Sequence, residues 1–275
     1  MKRLYGVILA GFAMVLWSSC TKEILVTPLP APQNLQISGS TNNGVGIILT
    51  WDHVADAYSY NVYYYDSLLG NTVSTQFTVD SLIGLFTVAA VDQDGNEGDR
   101  AQPVSNFAVT GSGTLYERSD TQSGHNTAFY WTSDGMGQDV PLGDSTYWPI
   151  IDLYIDDFTA GTVVPSHIHF VSPTYDRFDP QGLGFNADTT WLGGPQLQPS
   201  DWFPSPITLQ EFIPDDDPAN PANGINPGEY YFAEVPINGA VHYVMIKVTN
   251  VSSDGKVDFA YWFQPIPGFR GLKAQ

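Results

Sequence analysis

The sequence predicts an all-β protein with two successive antiparallel β domains, the second larger than the first. Aromatic residues make up 13% of the chain and charged residues only 14%. Aromatic side chains favour the half-buried, pleated surface of a sheet. Short alternating runs are separated by Gly, Asn and Asp turns, and no apolar pattern of helical period has a useful length. The chain has one cysteine, so we expect a hydrophobic core, without an internal disulfide, to stabilise the fold.

The N-terminus predicts a membrane anchor. Lys2 and Arg3 precede an apolar stretch over residues 4–17, and small residues then lead to Cys20. This order is typical of a cleaved signal peptide over residues 1–19. The segment resembles the lipobox of bacterial lipoproteins, which implies that Cys20 carries acyl chains such as palmitate. The alternative is an ordinary signal peptide with an incidental cysteine. Residues 21–23, Thr-Lys-Glu, resemble a surface-export signal, which implies the outer membrane, facing the cell surface.

The charge of the chain excludes one class of partner. Lys and Arg total 10 against 29 Asp and Glu, which gives a net charge of −19. Such a chain repels a phosphate backbone, and no basic stripe occurs in the sequence. We therefore expect no nucleic-acid partner.

After a proline-rich linker over residues 20–30, residues 31–110 carry regularly spaced strand patterns. Leu49-Thr50-Trp51 is followed by Tyr60-x-Val62-Tyr63 and then by a Val-x-Ala-Val-Asp run that ends in a Gly-Asn turn. In order and spacing these motifs resemble a fibronectin type III domain. The resemblance implies a sandwich with Trp51 at the centre of its core, acting as a spacer or protein-binding module. The tyrosine expected in the sixth strand is missing, and Phe86 is the nearest aromatic residue.

Residues 111–275 predict a second sandwich or barrel, a β-sandwich/barrel ligand-binding domain. The predicted strands cover residues 114–118, 127–132, 150–155, 162–171, 230–235, 241–251 and 256–263. The last two form a hairpin whose turn is Asp254-Gly255.

Histidines supply the sharpest local signal of this second part. His167 and His169 lie on a predicted strand, where alternation places both rings on one face. With Gly161 they resemble the first motif of cupins, and the segment around His242 loosely resembles the second. The resemblance implies a divalent metal held by His167, His169 and His242. The glutamate of the cupin motif is missing, with Asp176 as a substitute candidate. The alternative for His242 is a buried, hydrogen-bonded histidine.

Two other kinds of ligand are open. Residues 243–261 resemble the last hairpin of haem-capturing surface lipoproteins, which implies haem held by His or Met, with His125, Met136, His167 and His169 as candidates. A long stretch over residues 172–229 carries Trp191, Trp202 and Phe203, whose rings either stack on a glycan or pin the loop to the sandwich.

Catalytic signals are weak. No serine lies in a nucleophile elbow. Asp152, Asp156 and Asp157 cluster around one strand and offer a carboxylate pair for glycoside hydrolysis. The sequence therefore predicts a non-enzymatic surface lipoprotein that binds a glycan, haem or protein ligand. The alternative is a metal-dependent, cupin-like protein with a site at His167 and His169.

Overall fold

The structure is a computed structural model that describes residues 28–159, 162–174, 189–196, 202–204, 212–213 and 224–275. Strands and short 3₁₀ turns are the regular elements of this described part, which contains no α-helix. The sheets are antiparallel throughout. The prediction of an all-β fold built from antiparallel sheets is confirmed.

Two sheets form the first sandwich. One sheet has the order β1-β2-β5, and the other has the order β4-β3-β6-β7, with β8 also paired to β6. The strands are β1 Gln36–Thr41, β2 Gly46–Thr50, β3 Ser59–Tyr64, β4 Ser67–Thr72, β5 Gln76–Asp80, β6 Leu85–Val91, β7 Glu97–Arg100 and β8 Val104–Ser105.

The core of the first sandwich is built as its alternating pattern predicts. Trp51 is buried and meets the ring of Tyr60 edge-on at 5.4 Å between centroids. The Tyr60 hydroxyl accepts a hydrogen bond from the Val54 N–H at 3.0 Å, which satisfies a buried donor. Phe86 is fully buried in the same cluster. The central position predicted for Trp51 agrees with this packing.

Two further sheets form the second sandwich. Their orders are β11-β10-β12-β13-β15 and β14-β16-β17-β18-β9. The strands are β9 Val109–Leu115, β10 Ala128–Trp131, β11 Gly137–Val140, β12 Leu153–Asp156, β13 His169–Val171, β14 Trp191–Gln196, β15 Phe212–Ile213, β16 Tyr230–Ile237, β17 Ala240–Val251 and β18 Val257–Phe263.

A core of aliphatic and aromatic side chains lies between these two sheets. Fully buried members come from both, including Phe170 from one sheet and Val244 and Ile246 from the other. Alternation along β17 turns these apolar residues inward, as the sequence pattern predicts. The hairpin of β17 and β18 has the predicted turn, with Gly255 at a φ of 85°.

Some strand boundaries differ from the predicted ones. Strand β9 begins at Val109 and pairs with β18 up to Leu115, so it starts five residues before the predicted strand. The predicted strand over 162–171 is shortened to His169–Val171, because Pro165–His167 forms a 3₁₀ turn. A proline has no N–H for a strand ladder, which favours the turn.

The C-terminal segment, residues 264–275, returns to the first sandwich. Phe269 is fully buried in the core of that sandwich. The Arg270 N–H donates to the Gly44 carbonyl at 2.7 Å. Gly44 has a φ of 84°, and a Cβ there would lie 2.6 Å from the Gly268 carbonyl oxygen, so glycine is required at this approach. We call residues 264–275 the C-terminal strap, because it contacts both sandwiches.

Buried polar contacts fix the strap at the junction of the two sandwiches. The Gln264 side chain is fully buried and donates to the carbonyl oxygens of Asn106 and Gly271. The Ala108 N–H donates to the Lys273 carbonyl at 2.9 Å. Buried amides of this kind hold a unique geometry, since each lost partner leaves an unsatisfied group. The strap therefore fixes the first sandwich relative to the second.

Within the residues described, no helix is long and apolar enough to span a membrane.

Candidate functional site

A cleft of about 500 Å³ opens at one end of the second sandwich. We call it the rim cleft. Three chain segments line it, residues 130–133, 149–152 and 236–238. They come from the end of β10, the turn before β12 and the β16–β17 hairpin, so both sheets contribute. The volume lies within the usual range for small-ligand sites.

Asp152 contributes the carboxylate of the rim cleft. It directly precedes β12, which pairs with β10 only at Ala128 and Phe129. Trp131 therefore lies beyond the last residue pair of β10 with β12. Its backbone N–H donates instead to the side-chain Oδ2 of Asp152 at 2.7 Å. The Asp152 N–H donates to the Phe129 carbonyl at 2.9 Å. Asp152 thus completes the strand pairing while its carboxyl group lies at the cleft wall.

Burial changes the acidity of this carboxyl group. Asp152 is 6% exposed, and desolvation raises its pKa well above the usual range, although the Trp131 N–H opposes that shift. Loss of hydration disfavours the charged form of a carboxyl group. Asp152 therefore keeps its proton to a higher pH than a surface aspartate, and a protonated carboxyl group can donate as well as accept a hydrogen bond.

Two consecutive residues of β10, Tyr130 and Trp131, line the cleft, and their side chains point to opposite faces of the sheet. Trp131 is 3% exposed and lies against Phe129 and Tyr261, with ring centroids 5.0 and 5.7 Å away. Its indole Nε1 is buried and has no hydrogen-bond partner among the residues described. Tyr130 is half-buried, and its hydroxyl donates to Gln138 Oε1 at 2.7 Å. This hydrogen bond and the packing of Trp131 fix both rings in place.

The opposite wall is the tip of the β16–β17 hairpin. Asn238 and Gly239 have φ values of 54° and 79°, which matches the two-residue Asn-Gly turn of a tight hairpin. Pro236 and Ile237 are half-buried and Asn238 is exposed. The turn therefore presents an amide group beside an apolar surface.

The structure separates Asp152 from Asp156 and Asp157. Glu117, Asp156 and Asp157 are each 1% exposed and place one oxygen apiece within 4.8 Å of one another. Arg118 Nε lies 2.9 Å from Asp156 Oδ2. Burial raises the pKa of Asp156 to about 6, against the opposing charge of Arg118.

The oxygens of this acidic cluster bind their own loops. The Asp157 carboxylate accepts hydrogen bonds from the Thr159 N–H at 2.9 Å and the Val164 N–H at 2.7 Å. Glu117 Oε2 accepts one from the Ser119 N–H at 2.7 Å. Because the carboxylates are buried and engaged in this way, the cluster presents no carboxylate pair to a substrate. The carboxylate pair considered for glycoside hydrolysis is therefore not formed by Asp152, Asp156 and Asp157.

His167 and His169 do not lie on the same strand, in contrast to the prediction. His167 ends the 3₁₀ turn and is half-buried, whereas His169 begins β13 and is 1% exposed. His169 lies opposite Asp156 of β12, and its ring centroid is 5.0 Å from that of Phe158. The two rings therefore have different environments, and the interpretation of a shared strand face is wrong.

His242 lies in the other sheet, on β17. It is 2% exposed, its Nδ1 is 2.9 Å from the Gln264 carbonyl oxygen, and its ring stacks on Phe263. This is the buried, hydrogen-bonded histidine that the sequence offered as an alternative. The converging acidic and histidine ligands of the described residues are Glu117, Asp156 and Asp157, so the described part adds no third ligand to His167 and His169.

Other predicted ligands fall in separate places. Asp176 and Cys20 lie outside the described residues. His125 stacks on Tyr116 at 3.6 Å and pairs with Asp120 at 2.9 Å. Met136 is 59% exposed in the β10–β11 turn. Metal binding and haem binding at the named histidines stay predictions.

The three aromatic residues predicted to bind a ligand, Trp191, Trp202 and Phe203, do not share one site. Trp191 begins β14 and is 43% exposed. Trp202 and Phe203 are half-buried against the first core, with Phe203 5.7 Å from Phe269 of the strap. The Leu272 N–H donates to the Trp202 carbonyl at 2.9 Å. Trp202 and Phe203 thus pack in the way expected of rings that pin a loop.

Sequence reasoning missed the rim cleft. Its residues come from three segments that are far apart in the chain, and none forms a recognisable motif. One signal was available: the Asn238-Gly239 dipeptide between two alternating runs indicates a hairpin tip.

Comparison with known proteins gives weak structural similarity only. No family model and no curated protein matches the chain. Among solved structures, a DUF4466 family protein from Parabacteroides merdae has a TM-score of 0.38 and 10% identity, covering 86% of this chain and 99% of that chain. The fibronectin type III protein FN3tt mut has a TM-score of 0.26 and 17% identity, covering 29% of this chain and 97% of that chain. The family 28 exopolygalacturonase of Yersinia enterocolitica has a TM-score of 0.25 and 21% identity, and the match spans 27% of this chain but only 20% of the enzyme.

Proposed function

We propose that this protein is a non-enzymatic, lipid-anchored binding protein of the outer membrane, facing the cell surface. In this proposal Cys20 carries the lipid, residues 31–110 act as a fibronectin type III spacer, and residues 111–275 bind a ligand in the rim cleft. A cleft with apolar walls and a few convergent polar groups is the usual form of a ligand site.

One observation carries the proposal. In the rim cleft, Tyr130, Asp152 and Asn238 lie around one space of about 500 Å³. Asp152 is a carboxyl group with a raised pKa. Perturbed acidity is concentrated at functional sites.

The test is a binding screen with a matched pair of variants. Ile150 is 47% exposed at the cleft, and Val241 is 40% exposed on the same sandwich outside the residues that line it. The chain from residue 21 onward is presented to polysaccharides, haemin and envelope proteins. We expect Ile150→Ala to weaken binding about tenfold and Val241→Ala to leave it unchanged, because Ile150 lines the cleft and Val241 does not.

Two results would count against the proposal. Equal binding by both variants would place the ligand elsewhere on the protein. Catalytic turnover of a bound substrate, abolished by a change in the cleft, would replace a binding protein with an enzyme.

A further inference from the structure

The charges around the rim cleft restrict the chemistry of its ligand. Lys, Arg and His are absent from the described residues that line it, and the carboxylate present is Asp152. The chain as a whole carries a net charge of −19. An anionic ligand would meet a negative protein without a cation to pair with, which is unfavourable in a partly desolvated site.

A cationic ligand is disfavoured for a different reason. Asp152 is 6% exposed and already accepts the Trp131 N–H at 2.7 Å. Burial raises the pKa of Asp152, because loss of hydration disfavours its charged form. Among the described residues that line the cleft, Asp152 is the one carboxylate, so a cation would have no second carboxylate to bind. The ligand is best matched when it carries no net charge.

The remaining groups match an uncharged ligand with many hydroxyls. Tyr130 is half-buried and supplies ring surface, while Ser133 and Asn238 are exposed and supply a hydroxyl and an amide. A pyranose ring has an apolar face of C–H groups, which packs on the negative face of an aromatic ring, and an edge of hydroxyls that donate and accept hydrogen bonds.

We propose that the rim cleft binds a neutral sugar unit of a glycan, with Tyr130 against the sugar face and Asp152 and Asn238 at its hydroxyls. This inference rests on the proposed function, because it names the ligand of the same cleft. It excludes haem from this site, since haem brings propionate groups and the cleft lining has no Lys or Arg to pair with them.

The experiment compares neutral and anionic glycans. The chain from residue 21 onward is titrated with neutral glucan, mannan and xylan oligosaccharides, with oligogalacturonate and with haemin. We expect a neutral oligosaccharide to bind with a Kd that changes less than about twofold between about 0.05 and 0.5 M NaCl, because screening acts on charges. Tyr130→Ala should weaken this binding about tenfold, and Tyr58→Ala is the control, since Tyr58 is a 62% exposed tyrosine of the first sandwich.

A charge variant supplies an independent measurement. Asp152→Asn keeps an oxygen to accept the Trp131 N–H but removes the carboxylate. Binding of the neutral oligosaccharide to this variant should stay as insensitive to salt as binding to the wild type, whereas a cationic ligand would lose most of its affinity and its salt dependence. Thermal melts of each variant check that the fold is kept.

The outcomes separate this inference from the proposed function. Binding of oligogalacturonate or haemin that Ile150→Ala weakens would overturn the neutral sugar and leave the cleft as the binding site. Neutral sugar binding that Ile150→Ala and Tyr130→Ala leave unchanged would overturn the cleft itself. Failure of every glycan to bind would overturn the sugar ligand, while a protein ligand lost in Ile150→Ala would still support the cleft.

Discussion

Phe269 is expected to stabilise the first sandwich although it lies far beyond it in the chain. The residue belongs to the C-terminal strap and is fully buried in a core that also contains Ile83 and Phe86. Its ring centroid is 5.7 Å from that of Phe203, at an interplanar angle of 82°. The perturbation we consider is Phe269→Ala, which removes the ring and keeps the backbone of the strap.

The structure sets the size of the effect. A fully buried phenylalanine loses about 1.5–3 kcal/mol of transfer free energy when its side chain is removed. The edge-on pair with Phe203 adds about 0.5–1.5 kcal/mol, and the cavity left behind brings Phe→Ala changes to about 3–5 kcal/mol. The free energy of unfolding should therefore fall by about 4 kcal/mol.

The assay is urea unfolding followed by circular dichroism and tryptophan fluorescence. Trp51 reports on the first sandwich, where it is buried beside Tyr60. Pro267→Ala is the matched control, since Pro267 is an exposed residue of the same strap, and it should change the free energy of unfolding by less than about 0.5 kcal/mol. A loss below about 1 kcal/mol for Phe269→Ala would refute the conclusion that the strap completes this core.

Two more predictions concern acidity and anchoring. Burial raises the pKa of Asp156 to about 6 in the folded state, so the fold favours the protonated carboxyl group. The stability that Asp156 contributes is therefore fully present below about pH 4 and is lost as the pH rises through about 6. Asp156→Asn should remove about 3 kcal/mol of this pH-dependent loss from urea unfolding measured between about pH 4 and 7. Identical profiles for Asp156→Asn and the wild type would show that Asp156 has an ordinary acidity. Cys20→Ser should release the protein from the membrane fraction or block its processing, because burial of acyl chains at about 0.8 kcal/mol per CH₂ supplies the attachment; a Cys20→Ser protein that still sediments with membranes would show that Cys20 is not the tether.

Strong alternation made part of the fold predictable. Strands β17 and β18 were predicted within one residue, because apolar side chains recur at every second position and Asp254-Gly255 fixes the turn. Strand β14 was missed, since its sequence contains Gly193, Gly194 and Pro195, which are typical of loops. Strand β11 was missed because its residues are mostly polar. Local pattern predicts a strand only where one face is clearly apolar.

The candidate site was less predictable than the fold, for a physical reason. Asp152 was noticed for its carboxyl group, but its sequence neighbours Asp156 and Asp157 lie with Glu117 instead. The hydrogen-bond partners of Asp152 come from β10, and the other side of the cleft comes from the β16–β17 hairpin. Only the pairing of strands and the stacking of two sheets bring these segments together. A site built across sheets leaves no spacing rule in a single sequence, whereas a motif on one strand does.

The C-terminal strap connects this geometry to the proposed role. A spacer joined to a binding domain by one chain crossing turns freely, because few contacts oppose rotation at a single linker. Here the chain crosses twice, once at β9 and once through the strap, and Arg270 and Gln264 form hydrogen bonds on the first sandwich and at the junction. The second crossing therefore opposes rotation of one sandwich relative to the other. A protein tethered at its N-terminus would therefore hold the rim cleft at a fixed orientation relative to its spacer, which lowers the conformational entropy lost when the cleft meets a surface-bound ligand.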